Sequence, residues 1–408
     1  MESVDIAIVG GGMVGASLAV ALQNLPLRIA LIEAVRHDAL SQPSFDERTT
    51  ALSNGSRRIL ETLGVWSEVS AAATPIRRIH VSDRGRFGFA RIDAAEQGLA
   101  AMGYVVPNRA LGKALWSRIG TSGESRVFCP AEIAAVTPSE HTVALRLCAG
   151  KLPPTSIEAR LVVAADGVQS AVRAAFGIVA ETRDYGQSAV VTTVLPQRFH
   201  QHVAYERFTD QGPLALLPLA DGRCALVLTL QRQQVEAAIS APDSQFLAEV
   251  QRRFGFRLGR FMKVGRRTAY PLALTQALRT SAGRCVIVGN AAQSLHPVAG
   301  MGFNLGLRDA ASLAELVADG CGGGRQDPGD GRMLREYDAW RRADRRAIID
   351  FTDLLVRTFS NPLCIVRRLR NLGLLAFDLL PPAKAALSSL STGAAGRVPK
   401  LARGVALK

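Results

Sequence analysis

The sequence has 408 residues, of which 48% are hydrophobic, 21% are charged and 6% are aromatic. This length accommodates two or three domains with a substantial core. The net charge of +14, most of it from arginine, favours an anionic partner. The sequence has no nucleic-acid motif and no basic stretch interleaved with aromatic residues. A membrane surface is therefore favoured over nucleic acid, with a merely solvated basic surface as the alternative.

The N-terminus and the cysteine spacing indicate the compartment. Met1-Glu2-Ser3 lacks the basic residues that open a secretory signal, and no apolar run has the length of a membrane span. The six cysteines form no C-x-x-C pair, and the six histidines form no H-x-x-H pattern. Disulfides and a bound metal are therefore not expected. We expect a cytoplasmic protein, peripheral on the inner face of the cytoplasmic membrane.

The N-terminal segment predicts a dinucleotide site. An apolar strand (residues 4–9) leads into Gly10-Gly11-Gly12-Met13-Val14-Gly15, which fits G-x-G-x-x-G, and a helix and a second strand ending in Glu33 follow. In this fingerprint Gly10 allows a tight turn, Gly12 lets a pyrophosphate approach the backbone, and Gly15 packs helix against strand. Glu33 is spaced to accept hydrogen bonds from a ribose. The fingerprint itself leaves FAD and NAD open.

Two later segments repeat the strand–loop–helix texture. A buried strand ends at Asp166-Gly167, which predicts either a nucleotide-facing loop or a helix cap. Another apolar strand is followed by a glycine-rich stretch with Gly300, Gly302 and Gly306, and then by a helix. An extended cofactor that contacts both glycine-rich loops would explain why they occur so far apart in the sequence.

These segments together resemble the class A flavoprotein aromatic hydroxylases, the para-hydroxybenzoate-hydroxylase-like monooxygenases. The fingerprint with Glu33 is similar to the family's motif for the ADP half of FAD. Ala165-Asp166-Gly167 resembles its DG motif, and residues 289–304 resemble its second FAD-binding motif. The resemblance covers almost the whole chain and implies FAD as the cofactor, with NADPH or NADH as the reductant.

The resemblance implies an α/β fold. It has a Rossmann-like FAD-binding domain, an inserted β-rich substrate domain and a C-terminal helical segment. The expected substrate domain has alternating apolar and polar residues with many turn residues. In the C-terminus, apolar and basic residues alternate at helical spacing. That C-terminus is expected either to lie at a membrane interface or to pack on the core, and its last stretch (388–408) to be mobile. The expected domains are 1–75, 105–178 and 277–345 for FAD, 76–104 and 179–276 for substrate, and 346–408 for the C-terminal helices and tail.

A closer resemblance is to the ubiquinone-pathway hydroxylases, and within them to the 2-polyprenyl-6-methoxyphenol hydroxylases. The stretches VSDRG (81–85), ERFTDQGPLALLPLADGRC (206–224), YPLAL (270–274) and GNAAQSLHP (289–297) carry it. Asn290 and Gln293 stand where sibling branches keep Asp and His. Met301 departs from this branch, which commonly has Gln there, but removes no group that FAD binding needs.

The implied reaction converts a 2-polyprenyl-6-methoxyphenol into 2-polyprenyl-6-methoxy-1,4-benzoquinol, with molecular oxygen delivered through a C4a-hydroperoxyflavin. The implied partners are the polyprenyl phenol, the membrane surface and other ubiquinone-pathway proteins. Three alternatives are another ring hydroxylase of the same pathway, an FAD-dependent prenyl reductase, and a flavin-stabilised scaffold subunit of a quinone-synthesis complex.

The candidate catalytic residue is His296, the titratable group inside the flavin loop, which could assist phenol deprotonation. The alternative, a histidine that only braces Pro297, is favoured. By position in the family motifs, Phe303 and Asn304 would present backbone to the flavin ring. The complete set of expected cofactor-binding residues is Gly10, Gly12, Met13, Gly15, Glu33, Arg48, Arg109, Asp166, Asn290, Pro297, Gly300, Gly302, Phe303 and Asn304.

Overall fold

The computed structural model describes residues 2–39, 42–119, 125–150, 153–322, 327–360, 378 and 396–408. Its strands, in chain order, are β1 (Glu2–Val9), β2 (Ile29–Ile32), β3 (Thr49–Ser53), β4 (Thr74–Ile76), β5 (Arg78–Asp83), β6 (Phe89–Asp93), β7 (Gly103–Pro107), β8 (Ser125–Phe128), β9 (Glu132–Pro138), β10 (Val143–Cys148), β11 (Thr155–Ala164), β12 (Ala180–Pro196), β13 (Val203–Thr209), β14 (Gly212–Pro218), β15 (Cys224–Gln231), β16 (Phe261–Val264), β17 (Thr268–Ala277), β18 (Ser281–Ala282), β19 (Cys285–Ile287) and β20 (Gln293–Ser294). Its α-helices are α1 (Met13–Leu22), α2 (Asn54–Thr62), α3 (Trp66–Val69), α4 (Asn108–Arg118), α5 (Ala171–Ala175), α6 (Val235–Ser240), α7 (Asp243–Phe254), α8 (Met301–Gly322) and α9 (Gly331–Ser360).

The first sheet carries the glycine fingerprint. Its strands are ordered β18-β19-β11-β1-β2-β8, with β9 and β10 extending it beside β11. β1 pairs in parallel with β11 and β2, and β11 pairs in parallel with β19. Parallel strands buried on both faces read as continuous apolar runs, as β1 and β2 do. The loops after β1, β11 and β19 therefore open at the same edge of the sheet, which brings three segments distant in sequence together.

The second sheet forms a separate wall, ordered β20-β17-β12-β15-β14-β13-β5-β6, with β16 beside β12. One face packs against α7 through a core that includes Leu228 and Phe246. The opposite face packs against the small sheet β3-β7-β4 through a core that includes Val105 and Ala204. This opposite face is called the inner face below, because β3 in turn lies beside the start of α8.

The expected α/β fold class is confirmed, and short sequence signals account for several element boundaries. Ser53 caps α2 by accepting a hydrogen bond from the Ser56 N–H, and an antiparallel pairing joins β14 to β15 around Gly222. The helix after the fingerprint begins at Met13, because Gly12 has the extended geometry of a cap.

The C-terminus differs in part from expectation. Residues 396–408 are ordered against the protein: Leu401 and Ala402 are buried, and the Lys400 N–H donates to Glu315 at 2.5 Å. The expectation of a mobile tail is therefore wrong for these residues, because two apolar side chains in the basic stretch find a buried place. Most of the expected C-terminal helical segment, residues 361–377 and 379–395, lies outside the described residues. Within the described part of the chain, no helix combines the length and apolarity that crossing a membrane requires.

Candidate functional site

The fingerprint loop is built by close backbone approach. Gly10 has φ +102°, and a side chain there would overlap the carbonyl of Ala165 at the end of β11. A Cβ at Gly15 would overlap the carbonyl oxygen of Gly10. The loop therefore packs α1 directly onto the edge of the sheet, which only glycine permits at both positions.

The start of α1 provides a cradle for an anion. Gly12 immediately precedes the helix, Met13 is its first residue, and a Cβ on Gly12 would lie 2.8 Å from Ser44 Oγ. The first N–H groups of a helix have no intrahelical acceptor and carry the positive end of its dipole. This geometry fits the pyrophosphate of a dinucleotide.

Glu33 ends β2 and braces the fingerprint loop. Its Oε2 accepts from the Gly11 N–H at 2.5 Å, and its Oε1 accepts from the Val35 N–H at 2.9 Å and from Gln42 Nε2 at 3.3 Å. A carboxylate offers about four acceptor positions, so a ribose hydroxyl could still donate to it. Glu33 can thus hold the loop and a ribose together.

The surroundings of the Asp166 carboxyl group show whether FAD fits this site. Asp166 follows β11, and its Oδ2 accepts from the Val172 N–H at 3.3 Å. Its Oδ1 is buried and has no hydrogen-bond partner among the described residues, and burial raises the pKa of the carboxyl. A buried acceptor without a partner is costly unless a ligand donates to it. A hydroxyl of a bound cofactor would supply that donor, so the residues present fit FAD.

Arg173 joins two of the loops. Its Nη1 donates to the Ala291 carbonyl and its Nη2 to the Val168 carbonyl, both at 2.9 Å. Asn290, the residue before Ala291, is exposed in this turn, and a Cβ on the preceding Gly289 would lie 3.1 Å from Val14 of α1. The structure thus brings the segments around Asn290, Asp166 and the fingerprint together.

The second glycine-rich loop is held by Asn304. Its Nδ2 donates to the Ala51 and Gly300 carbonyls, both at 2.8 Å, and its Oδ1 accepts from the Ser53 N–H at 2.8 Å. The Asn304 side chain therefore anchors α8 to β3, and its contribution to a cofactor would come from its backbone. Phe303 packs against the main core, whereas a Cβ on Gly302 would meet no atom within 4 Å.

His296 is buried at 2% exposure beside the exposed Pro297. Its Nδ1 accepts from the Val298 N–H at 3.2 Å, so the ring proton lies on Nε2, which has no partner among the described residues. Burial lowers the pKa of His296 to about 4, and its ring makes an edge contact with Tyr185 at 5.5 Å. At neutral pH the imidazole is uncharged and offers a donor rather than a base.

Arg48 and Arg109 lie at one loop rather than deep in the site. Arg48 Nε donates to Asp46 at 2.6 Å, and its guanidinium lies 4.4 Å from the ring centroid of Tyr270. Arg109 pairs with Glu47 at 3.0 Å. The two arginines thus flank the 46–48 loop, and both already have a carboxylate partner.

Sequence reasoning missed a buried ionic network behind the second loop. Arg345 Nε donates to Gln293 Oε1 at 2.6 Å, Gln293 Nε2 donates to Asp309 at 2.7 Å, and Arg341 pairs with Asp309 at 2.8 Å. Asp344 completes it by pairing with Arg341 and, at 3.3 Å, with Arg308. Four-residue spacing of Arg341 and Arg345 on α9 was the available signal. The network fixes the loop to α8 and α9.

Sequence reasoning also missed Glu206 on β13. Successive residues of a strand face opposite sides, so Glu206 shares the inner face with Ala204 and Phe208, while Tyr205 packs towards α7. Phe208 stacks on Phe359 of α9 at 3.5 Å between centroids. Glu206 remains partly accessible although burial deep in the protein raises its pKa to about 7. Glu206 is therefore a carboxyl group on the inner face that is largely withdrawn from water.

Comparison with known proteins agrees with this geometry. Residues 3–352 match the family model described as FAD binding domain. The ubiquinone hydroxylase UbiL of Rhodospirillum rubrum is 40% identical over 99% of this chain and 93% of its own length. The 3-demethoxyubiquinol 3-hydroxylase of Escherichia coli is 33% identical over 92% of this chain and 95% of its own.

A solved structure of similar fold is p-nitrophenol 4-monooxygenase PnpA from Pseudomonas putida. It has a TM-score of 0.79 and 17% identity, and the match covers 97% of this chain and 100% of that one. Fold and matches define an FAD-dependent monooxygenase. The chain belongs to the FAD-binding-domain family, and within it to the ubiquinone hydroxylases.

Proposed function

We propose that this protein hydroxylates 2-polyprenyl-6-methoxyphenol to 2-polyprenyl-6-methoxy-1,4-benzoquinol. The observation that carries the proposal is the convergence of the loops after β1, β11 and β19 at one sheet edge, beside a second sheet whose inner face is apolar and carries the carboxyl group of Glu206. Apolar surface suits an aromatic ring with a prenyl tail, and one carboxyl suits one phenolic hydroxyl. The 40% identity to a ubiquinone hydroxylase supports this substrate class.

FAD, reduced by NADPH or NADH, supplies the oxygen-transfer chemistry when bound. We propose that the start of α1 at Gly12 and Met13, with Glu33 and Asp166, holds the cofactor. Arg48, Arg109, Asn290, Pro297, Gly300, Gly302, Phe303 and Asn304 would complete its surroundings. The chain's further work is to orient the ring, exclude water and remove a proton.

Glu206 is proposed to accept the phenolic proton on its carboxylate oxygen. A carboxyl whose pKa lies near 7 is matched to proton transfer at neutral pH. Loss of that proton raises the electron density of the ring carbon para to the hydroxyl. His296 has a lowered pKa and an occupied Nδ1, which favours a bracing role.

Turnover of the FAD-loaded protein with a short-chain 2-prenyl-6-methoxyphenol tests the reaction. We expect oxygen uptake that depends on reduced nicotinamide, and a product carrying the new hydroxyl para to the original one. Anaerobic incubation is the control and should give no product. Identification of the product by NMR decides the ring position.

A second candidate is hydroxylation at another ring carbon, favoured by the 33% identity to a 3-demethoxyubiquinol 3-hydroxylase. A product hydroxylated at that position would select it. Anaerobic reduction of the prenyl tail would instead indicate a prenyl reductase. Bound flavin that substrate fails to turn over would indicate a scaffold subunit.

Peripheral association with the inner face of the membrane, together with other ubiquinone-pathway proteins, is proposed from the substrate and the net charge of +14. A polyprenyl tail partitions into lipid, so the enzyme must meet it there or receive it from a partner. Flotation with anionic vesicles tests the association. Replacing Arg367, Arg368 and Arg370 by Gln tests the basic C-terminal stretch without cutting α9 or undocking residues 396–408.

A further inference from the structure

A basic cleft opens on the outer side of the second sheet, away from the inner face. It has a volume of about 440 Å³ and lies between the β5–β6 hairpin and the loop that follows α7. Its charged lining residues are Arg86, Arg207 and Arg257, with Asp83 as the acidic member. These residues together are called the arginine cleft.

Two of its cations, Arg207 and Arg257, have polar partners other than carboxylates in the described part of the chain. Arg207 donates to Ser82 Oγ at 3.2 Å and to the Arg253 carbonyl at 3.1 Å, and Arg257 Nη1 contacts His80 Nε2 at 2.7 Å. Among the described residues neither forms an ion pair with a carboxylate. The acid of the cleft, Asp83, pairs with Arg86 at 3.5 Å.

The pKa shifts of Arg207 and of the neighbouring His80 reflect the excess of positive charge in the arginine cleft. Burial and the nearby Arg257 and Arg84 lower the pKa of Arg207, although Asp83 opposes them. Burial, then Arg257, Arg91 and Arg207, lowers the pKa of His80 to about 4. Like charges held together in this way repel one another, and a bound anion would relieve that repulsion.

Two aromatic side chains project beside the cleft into solvent. Phe87, at the tip of the β5–β6 hairpin, is 93% exposed, and Phe256, in the loop after α7, is 67% exposed. Phenyl rings exposed next to arginines are the arrangement by which a surface enters the lipid headgroup region. A soluble anion would need the arginines but not the two projecting rings.

The C-terminal segment meets this same part of the sheet. Asp378 accepts a hydrogen bond from the Arg91 N–H of β6 at 2.9 Å. The sequence on either side of Asp378 is rich in apolar residues and includes Arg367, Arg368 and Arg370. The β5–β6 hairpin that borders the arginine cleft is therefore also contacted by Asp378 of the C-terminal segment.

We infer that the arginine cleft, with Phe87 and Phe256 at its rim, is a docking surface for the anionic phospholipid bilayer. Lipid phosphates bind Arg207 and Arg257, and the two phenyl rings enter the boundary between headgroups and acyl chains. Docking through the outer side of the sheet leaves the inner face free for the ring chemistry. This inference rests on the proposed peripheral association and gives it a site.

Vesicle flotation of the FAD-loaded full chain tests the surface, using phosphatidylcholine alone and with phosphatidylglycerol added. Phe87→Ser/Phe256→Ser is expected to weaken binding to the anionic vesicles about tenfold or more, because two apolar side chains are lost. Arg257→Gln is expected to weaken it about fivefold, because one cation near the surface is lost. Leu278→Ser, 63% exposed near the first sheet, and Arg146→Gln, exposed on β10, are matched controls expected to bind as wild type.

The outcomes separate this surface from the association itself. Wild type that fails to float with anionic vesicles overturns the peripheral association, and the surface with it. Wild type that floats while the phenylalanine variant and Arg257→Gln both float equally well overturns only the assignment to this cleft. Loss of flotation with Arg257→Gln but not with the phenylalanine variant overturns the entry of the two phenyl rings into the bilayer. Unchanged turnover of a short-chain soluble substrate by all variants shows that they are folded and that the proposed reaction is independent.

Discussion

The two glycine-rich loops of this enzyme, both predicted to contact FAD, are fixed by different forces. The Gly10–Gly15 loop is held by backbone packed against backbone, where a single added carbon at Gly15 would overlap a carbonyl oxygen. The loop that runs from Gly289 to Asn304 is held by side chains, through Asn304 and through Gln293 with the Asp309 network. Backbone packing makes the first loop a rigid anchor. Because the second loop is held by side chains, its position depends on residues distant in the sequence, such as Ala51 and Arg345.

Substitution of Gly15 should give the largest effect. Gly15→Val forces a side chain into the Gly10 carbonyl and is expected to cost about 3 kcal/mol or more of the free energy of unfolding, with loss of bound FAD. Chemical denaturation and flavin absorbance measure both. Gly302→Ala is the matched control, since a Cβ there meets nothing within 4 Å, and its stability should equal that of wild type. Equal stability of Gly15→Val would contradict the close-packing account.

Asp309→Asn breaks the second loop's anchor. It removes the more deeply buried of the two carboxylates that pair with Arg341, which is 1% exposed, and is expected to lower the free energy of unfolding by about 3–5 kcal/mol. Asp221→Asn breaks the exposed pair with Arg223, for which about 0–1 kcal/mol is expected. Denaturant midpoints of the two variants give the comparison. Similar losses in both would show that burial of the network contributes nothing.

Glu206→Gln probes the inner face through pH. Because burial raises the folded-state pKa of Glu206 from 4.5 to about 7, its contribution is fully present below pH 4.5 and is lost as the pH rises through about 7. The loss amounts to at most about 3 kcal/mol. We expect the wild type to lose stability between about pH 5 and 8 relative to Glu206→Gln. We also expect the variant to lack the rise in kcat/KM that a proton acceptor gives near pH 7, while a short-chain phenol still binds.

If the free energy of unfolding of the wild type and of Glu206→Gln varies in parallel between about pH 5 and 8, the raised pKa of Glu206 is contradicted. A rise in kcat/KM that survives in Glu206→Gln would remove its role as proton acceptor. Glu181→Gln, an exposed change on β12, is the control for a generic loss of charge.

His296→Ala should have the smallest effect. The variant loses one acceptor for the Val298 N–H and is expected to keep bound FAD and to cost about 1 kcal/mol of stability. Because the pKa of His296 is lowered to about 4, we expect the pH profile of turnover to stay unchanged above pH 5. General acid–base catalysis is worth about 100-fold or more, so a loss of that size would restore His296 as a catalytic group.

The α/β fold class and the local positions of the glycine loops could be predicted from the sequence because their causes are local. A glycine fingerprint after an apolar strand, a serine before an amphipathic helix and Asp-Gly between apolar runs each act within a few residues. The assignment of the candidate flavin contacts remains a prediction, and for Asn304 the structure adds a reason of its own. Its side chain is occupied by β3, some 250 residues earlier in the chain.

Only the tertiary structure decided what the polar residues distant from the motifs do. In the sequence, Glu206 is a charged residue beside an arginine, with nothing to distinguish it. The strand pairing places it on the inner face, where loss of water raises its pKa. Arg207, the next residue, faces the other side and joins the arginine cleft. Strand alternation separates these neighbours, but which face is which depends on the packing of whole sheets. The sequence by itself determined the loop of the glycine fingerprint, because that loop is local geometry. The surroundings of each charge are made by residues far apart in the chain, and folding alone brings them together.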